Sequence, residues 1–314
     1  YTRYVMNKGG RKMVDVLVKS LGFVFIIALG YILKKKGFFK AEDVLFFSKV
    51  VMNITLPAAL IAGSNGMEIS LVTITLIGLG FLANIVTAYM GKFLNHKETP
   101  MQQALAMVNC SGYNVGNFSI PFAASFFDAT GLMYLCMFDI GNAFMGLGGV
   151  YAIARNLVDG KGRLNIRSLC IALSKSIPFD VYLLLFVLSL FKITLPAPVT
   201  QMASMIGSAN SFLAMLMIGI ILEVHVTKQQ AKAVGKILGI RYLGDLLLTV
   251  VVLLLPLPML AKKMVIIILF SPLSTISAVY SKMLDENDPT PAIANSISII
   301  VSIVVLTALL MVFA

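Results

Sequence analysis

Long apolar runs dominate the chain, separated by short polar or Gly/Pro-marked connections. A membrane-spanning helix takes about 20 mostly apolar residues. Runs of that kind lie at roughly 14–33, 44–62, 69–94, 102–127, 129–154, 178–195, 198–223, 236–255, 263–284 and 291–313. They predict an all-α polytopic membrane protein with ten transmembrane helices. The stretch 168–176 (SLCIALSKS) is too short to span and is expected at the interface, with Pro178 opening the sixth helix. The first run does not read as a cleavable signal, because Lys34, Lys35 and Lys36 stand where a small-residue cleavage site would be. Residues 1–12 read as an N-terminal tail, disordered or preceding a native start at Met6 or Met13.

Composition narrows the class. Of 314 residues, 59% are hydrophobic and 12% charged, against roughly 25% charged in a soluble domain. Soluble enzymes, nucleic-acid binders and disordered scaffolds are excluded on that ground, so the net charge of +11 is read through topology. Lys34, Lys35, Lys36 and Lys40 follow helix 1, and Lys92 and Lys97 follow helix 3. Arg155, Lys161, Arg163 and Arg167 follow helix 5, and Lys228, Lys232 and Lys236 follow helix 7. The intervening loops are poor in Lys and Arg. The positive-inside rule then puts the odd-to-even connections in the cytoplasm and both termini outside, although the basic N-terminal tail runs against this.

The connection at 156–177 divides a first five-helix unit (13–155) from a second (178–314). An odd number of spans per half inserts the halves in opposite orientations, the arithmetic of a 5+5 inverted repeat and a common transporter plan. Asn53 in KVVMNITLPAALIA and Asn210 in IGSANSFLAMLMIG occupy matching places in the two halves.

Two spans carry breaks in the apolar pattern. In the fourth, Asn109 to Pro121 (NCSGYNVGNFSIP) holds three Asn, two Gly, two Ser and a Pro. Each Gly disfavours helix by about 1 kcal/mol and an interior Pro by about 3 kcal/mol. Two half-helices meeting at an unwound segment are expected, with the unwound backbone lining a cavity. Amides at the start of the second half-helix favour an anion. In the ninth span Pro272 interrupts FSPLSTISAVYS among Ser271, Ser274, Thr275 and Ser277. Paired interruptions at corresponding positions point to a transporter binding site.

Intramembrane charges are few. Asp139 is central in helix 5 with Asn142 one turn on, and is the candidate for coupling to a proton or sodium ion, against a purely structural hydrogen-bonding role. Asp245 in helix 8 has Arg241 at i−4 and is expected to pair with it. Lys19, Lys175, Asp180 and Glu223 read as interfacial. Cys110, Cys136 and Cys170 are too dispersed for a metal site, and His96 and His225 sit in polar connections. No hydrolase, zinc-protease or nucleotide-binding motif is legible, so no catalytic residue, metal or cofactor is assigned.

The segments NVGNFSIPF (114–122), MNITLPAAL (52–60), FDIGNAF (138–144) and SPLSTISAVYS together resemble the auxin efflux carrier family, over about residues 14–314. That family includes plant auxin carriers and bacterial permeases for malate, malonate and related anions. The resemblance implies broken, crossing helices 4 and 9 and an elevator motion of one bundle against a scaffold. It matches Asn117 and Pro121 to the first crossover and Pro272, Ser274 and Thr275 to the second, with Asn53 and Asn142 at the polar positions of helices 2 and 5. Ser271-Pro272-Leu273 departs from the Met-Pro pattern common at the second crossover. The short central loop fits a bacterial member, multi-pass in the cytoplasmic (inner) membrane, and a homodimer is implied.

The expected function is secondary transport of a small organic anion, a mono- or dicarboxylate. Its binding residues are expected to be Asn114, Gly116, Asn117, Ser119, Pro121, Pro272, Ser274 and Thr275, supported by Asn53, Asn210 and Asn142. The alternatives are a cation-coupled symporter or antiporter of another solute and a membrane receptor that does not transport. The partners expected are the solute, a coupling proton or sodium ion, the lipid bilayer and a second copy of the chain in the implied homodimer, and no nucleic acid.

Overall fold

A computed structural model describes residues 2–40, 42–63, 70–160, 177–222, 227–285 and 290–313. The stretch expected at the interface (168–176), with Cys170, Lys175, Glu223 and His225, lies outside the described residues. Among the described residues the regular structure is all helical apart from one isolated bridge. Among the described residues seven helical runs are long and apolar enough to cross a membrane, which makes this a multi-pass membrane protein.

The first half contains α1 (Thr2–Lys35), α2 (Asp43–Val50), α3 (Leu56–Ala62), α4 (Leu71–Phe93), α5 (Pro100–Cys110), α6 (Ile120–Ala123), α7 (Ala129–Phe144) and α8 (Val150–Asp159). The second contains α9 (Ile177–Leu190), α10 (Ala197–Gly207), α11 (Asn210–Ile221), α12 (Lys228–Leu254), α13 (Met259–Leu269), α14 (Thr275–Leu284) and α15 (Thr290–Phe313). Helix α1 takes in the segment read as a tail. The apolar runs at 102–127 and 263–284 are each broken, into α5 with α6 and into α13 with α14.

Local chemistry explains the helix ends. Thr99 caps α5 by accepting from Gln102 N at 3.3 Å, with Pro100 in the first turn where its missing N–H costs nothing. Asp128 Oδ1 accepts from Gly131 N at the start of α7. Widened turns with i+5 bonding precede α3 (Val51–Thr55) and α6 (Val115–Ser119). Each is followed at the second helical position by a proline, Pro57 and Pro121. A proline supplies no N–H and its ring crowds the carbonyl four residues back, and the wider turn relieves both. A third widened turn, Met145–Gly149, joins α7 to α8 through Gly148 at φ 150°.

Packing uses small residues, as expected where lipid removes the hydrophobic drive between helices. A Cβ on Gly80 would run into the carbonyl of Phe138, and one on Gly141 into that of Ile77, so α4 and α7 meet backbone to backbone. Gly30 and Gly219 do the same for α1 and α11. Phe118 stacks on Phe122 with centroids 5.7 Å apart, and Phe122 meets Phe23 of α1 at 5.3 Å, anchoring the second part of the fourth span. Large apolar side chains such as Leu21, Phe25, Leu247, Val250 and Val304 face outward, the surface a bilayer requires.

Gly141→Ala is expected to lower stability by at least about 2 kcal/mol through overpacking. Gly78→Ala, where a Cβ meets nothing, should stay within about 1 kcal/mol of the parent. Thermal unfolding of the purified variants in detergent checks the contrast.

Candidate functional site

The fourth span unwinds where its polar residues cluster. Helix α5 stops at Cys110, Ser111 is extended, and Gly112 turns at φ 81°. A Cβ on Gly112 would also press on Ser274 and Ser277, so both the conformation and the close approach call for glycine. The ninth span unwinds over Phe270–Ser274. The two unwound segments pair with each other: Tyr113 and Leu273 form an antiparallel bridge. Asn114 N donates to Pro272 O at 3.0 Å and Ser274 N to Gly112 O at 3.3 Å.

Side chains satisfy most of the remaining backbone groups. Asn84 Oδ1 accepts from Gly112 N at 2.8 Å. Asn142 Oδ1 accepts from Tyr113 N at 3.1 Å, while its Nδ2 donates to Tyr113 O at 3.0 Å and to Asp139 Oδ1 at 2.8 Å. Asn84 Nδ2 donates to Asn142 Oδ1 at 3.1 Å, so α4 and α7 act as one clamp on the Gly112–Tyr113 peptides. On the other segment Leu273 N donates to Ser298 Oγ of α15 at 3.0 Å.

A cavity of about 170 Å³ lies against this pairing. Asn114, Gly116 and Asn117 line it from the first unwound segment, Ser274, Thr275 and Ile276 from the second, and Asp139 and Asn142 from α7. Met52, Leu56, Phe179 and Tyr182 supply apolar and aromatic wall. The first turns of two helical segments, Val115–Ser119 and α14, therefore begin at its edge. Val115 N donates to Tyr113 O at 3.0 Å and Ser277 N to Ser274 O at 3.1 Å; the other leading amides have no acceptor within their own helices, and the two helix starts give that edge a positive character. Asn117 Oδ1 is buried there without a hydrogen-bond partner.

The other residues singled out in sequence stand around the cavity rather than on it. Ser119 Oγ donates to Asn114 O at 3.4 Å, and Pro121 O accepts from Ser211 Oγ at 2.7 Å. Pro272 contributes the carbonyl that Asn114 uses. Asn210 is buried and accepts from Thr55 Oγ1 at 2.9 Å, next to the wall residue Leu56. Asn53 is exposed. Sequence reasoning passed over Asn84, Tyr113, Phe179 and Tyr182. Asn84 carried a usable signal, a lone amide in the middle of an apolar run.

Residues 15–161 match the model of the membrane transport protein family, from α1 through the end of α8. Over that stretch the chain is similar to the membrane transport protein family, that is, the auxin efflux carrier family. This is a family of transporters, not of enzymes, and the match takes in the first unwound segment and its asparagine clamp. A comparison with curated proteins finds no match.

Asn142→Ala orphans the buried N–H of Tyr113, while the Tyr113 C=O keeps Val115 N as a donor, and is expected to cost about 1–3 kcal/mol. Asn53→Ala should stay within about 0.5 kcal/mol. Melting temperatures of the two variants, side by side, test the clamp.

Proposed function

We propose that this transporter carries a small organic anion, a mono- or dicarboxylate, through the cavity beside the paired unwound segments. The observation that carries the reading is the convergence of two helix starts, with Asn114, Asn117, Ser274 and Thr275, on one cavity edge. Oriented amides at helix starts favour a carboxylate, and side-chain amides and hydroxyls supply the remaining donors. A volume of about 170 Å³ compares with about 30 Å³ for one water, which suits a small solute.

The architecture we propose is a 5+5 inverted repeat. Seven continuous runs, the shorter α9 and the two interrupted spans make up its ten helices. One bundle carrying the paired segments moves as an elevator against the other helices in a bacterial cytoplasmic membrane, with both termini outside. With no nucleotide-binding loop in the sequence, a gradient supplies the drive. Labelled malate uptake into proteoliposomes tests the substrate class. Asn117→Ala is expected to cut uptake by about tenfold, the loss of one hydrogen bond to a charged group, with an unchanged melting temperature. Uptake at the parent rate in that variant would sink the site.

Asp139 favours cation coupling within the same cycle. A carboxylate that lines an anion's cavity repels its ligand unless it carries a proton or a cation. Asp139→Asn is expected to retain substrate exchange while losing dependence on the proton or sodium gradient. Gradient-driven uptake that responds normally in this variant removes Asp139 from the coupling step.

A further inference from the structure

Behind Tyr113, α12 carries a charge pair buried in the membrane interior. Arg241 and Asp245 are both 0% exposed. Isolated charges there are very costly and persist only with partners. Asp245 Oδ2 stands 3.6 Å from Arg241 Nε, yet the other guanidinium nitrogens turn elsewhere. One donates to Cys110 O at 3.1 Å and to Gly112 O at 2.9 Å, and the second reaches Ser271 O at 3.5 Å. The guanidinium also lies over the Tyr113 ring, 4.4 Å from its centroid. Asp245 Oδ1 accepts from the Tyr113 hydroxyl at 2.7 Å.

These partners have a pattern. Cys110 and Gly112 belong to the end of α5 and the first unwound segment, and Ser271 follows α13 into the second. One planar fork thus holds carbonyls of both segments at the negative ends of two half-helices. Asp245 fixes the tyrosine whose backbone forms the bridge and whose side lines the cavity. A pair that served only to neutralise itself at i, i+4 would not need three carbonyls from two other elements.

We infer that Arg241, oriented by Asp245, is the positioning residue of the solute site: its guanidinium fork locks the two unwound segments in register, and so sets the geometry of the amides that face the cavity. The inference rests on reading that cavity as the solute site. A lysine keeps the charge but offers a compact point donor in place of the fork, so the role belongs to the geometry of arginine rather than to its charge.

Hydrogen–deuterium exchange on the purified full chain tests this without a substrate, alongside malate uptake in proteoliposomes. Arg241→Lys and the charge-neutral Arg241→Gln/Asp245→Asn pair are expected to raise exchange about tenfold in peptides covering 110–116 and 270–276 together, through local opening. Peptides from α1 and α11 should stay protected. Asp245→Asn, which leaves the fork and its carbonyls in place, should retain most of the protection. In the uptake arm, Arg241→Lys should raise KM for malate about tenfold with a smaller change in maximal rate. Parent-like protection of both segments in the lysine or the neutral double variant would overturn the inference. So would loss in Asp245→Asn that the neutral double variant repairs, since charge balance alone would then be at work. If Arg241→Lys fails to fold, the neutral double variant decides. If the parent chain carries no malate, the carboxylate reading falls while the exchange result still judges Arg241.

Discussion

Inside a bilayer a peptide group without a hydrogen bond is among the most expensive features a protein can keep. This chain interrupts two spans there, and what makes that tolerable is that the interruptions satisfy one another. Asn114 N reaches Pro272 O, Ser274 N reaches Gly112 O, and Tyr113 pairs with Leu273. The leftover groups go to Asn84, Asn142, Ser298 and Arg241. Neither break is tolerable alone, so the two must be built together, and the proposed site lies where they meet.

The surrounding helices are arranged to serve that requirement. Asn84 and Asn142 act as one clamp only because α4 and α7 approach backbone to backbone, and Gly80 and Gly141 permit that approach. Pro121 imposes a widened turn just after the unwound segment, and Pro57 imposes another beside the wall residues Met52 and Leu56. These turns move side chains around the helix axis by a fraction of a turn. Leu56 of α3 faces the cavity, whereas all four residues of α6 face the packing interior.

Much of the plan was legible as pattern. Gly, Asn and Pro crowded into 109–121 announce an unwound segment, and Pro272 among serines announces its counterpart. Asn142 and Asp139 stood out because amides and carboxylates are rare inside apolar runs, and both line the cavity. The pairing of Arg241 with Asp245 followed from their spacing. What spacing could not reveal was where the rest of the guanidinium goes, since its carbonyl partners lie about 30 and 130 residues away and belong to backbone of any sequence. Asn53 shows the opposite failure. Its position before Leu-Pro aligned it with a polar site, but it lies in a widened turn, where ordinary helical periodicity no longer assigns a face. Tyr113 escaped notice because an aromatic residue beside glycine reads as packing. Its importance comes from a hydroxyl bond to Asp245 and from its place in the bridge.

The electrostatics of the paired segments have two sides. Toward the cavity they present helix starts, amides and hydroxyls, and α7 adds a carboxylate, Asp139. Away from it they present the carbonyl ends of α5 and α13, which Arg241 covers while Asp245 balances its charge. Covering the negative ends matters for the positive ones, because opposed dipoles a few ångströms apart in a low-dielectric interior partly cancel. With the carbonyl side neutralised, the amide side is left to act on a solute, and the proposed preference for an anion becomes a property of the whole pairing. Among the described residues lining the cavity, Asp139 is then the group whose charge opposes the proposed anion. It is also the one whose state a proton or cation can change, and for that reason binding and coupling are proposed to share a single cavity.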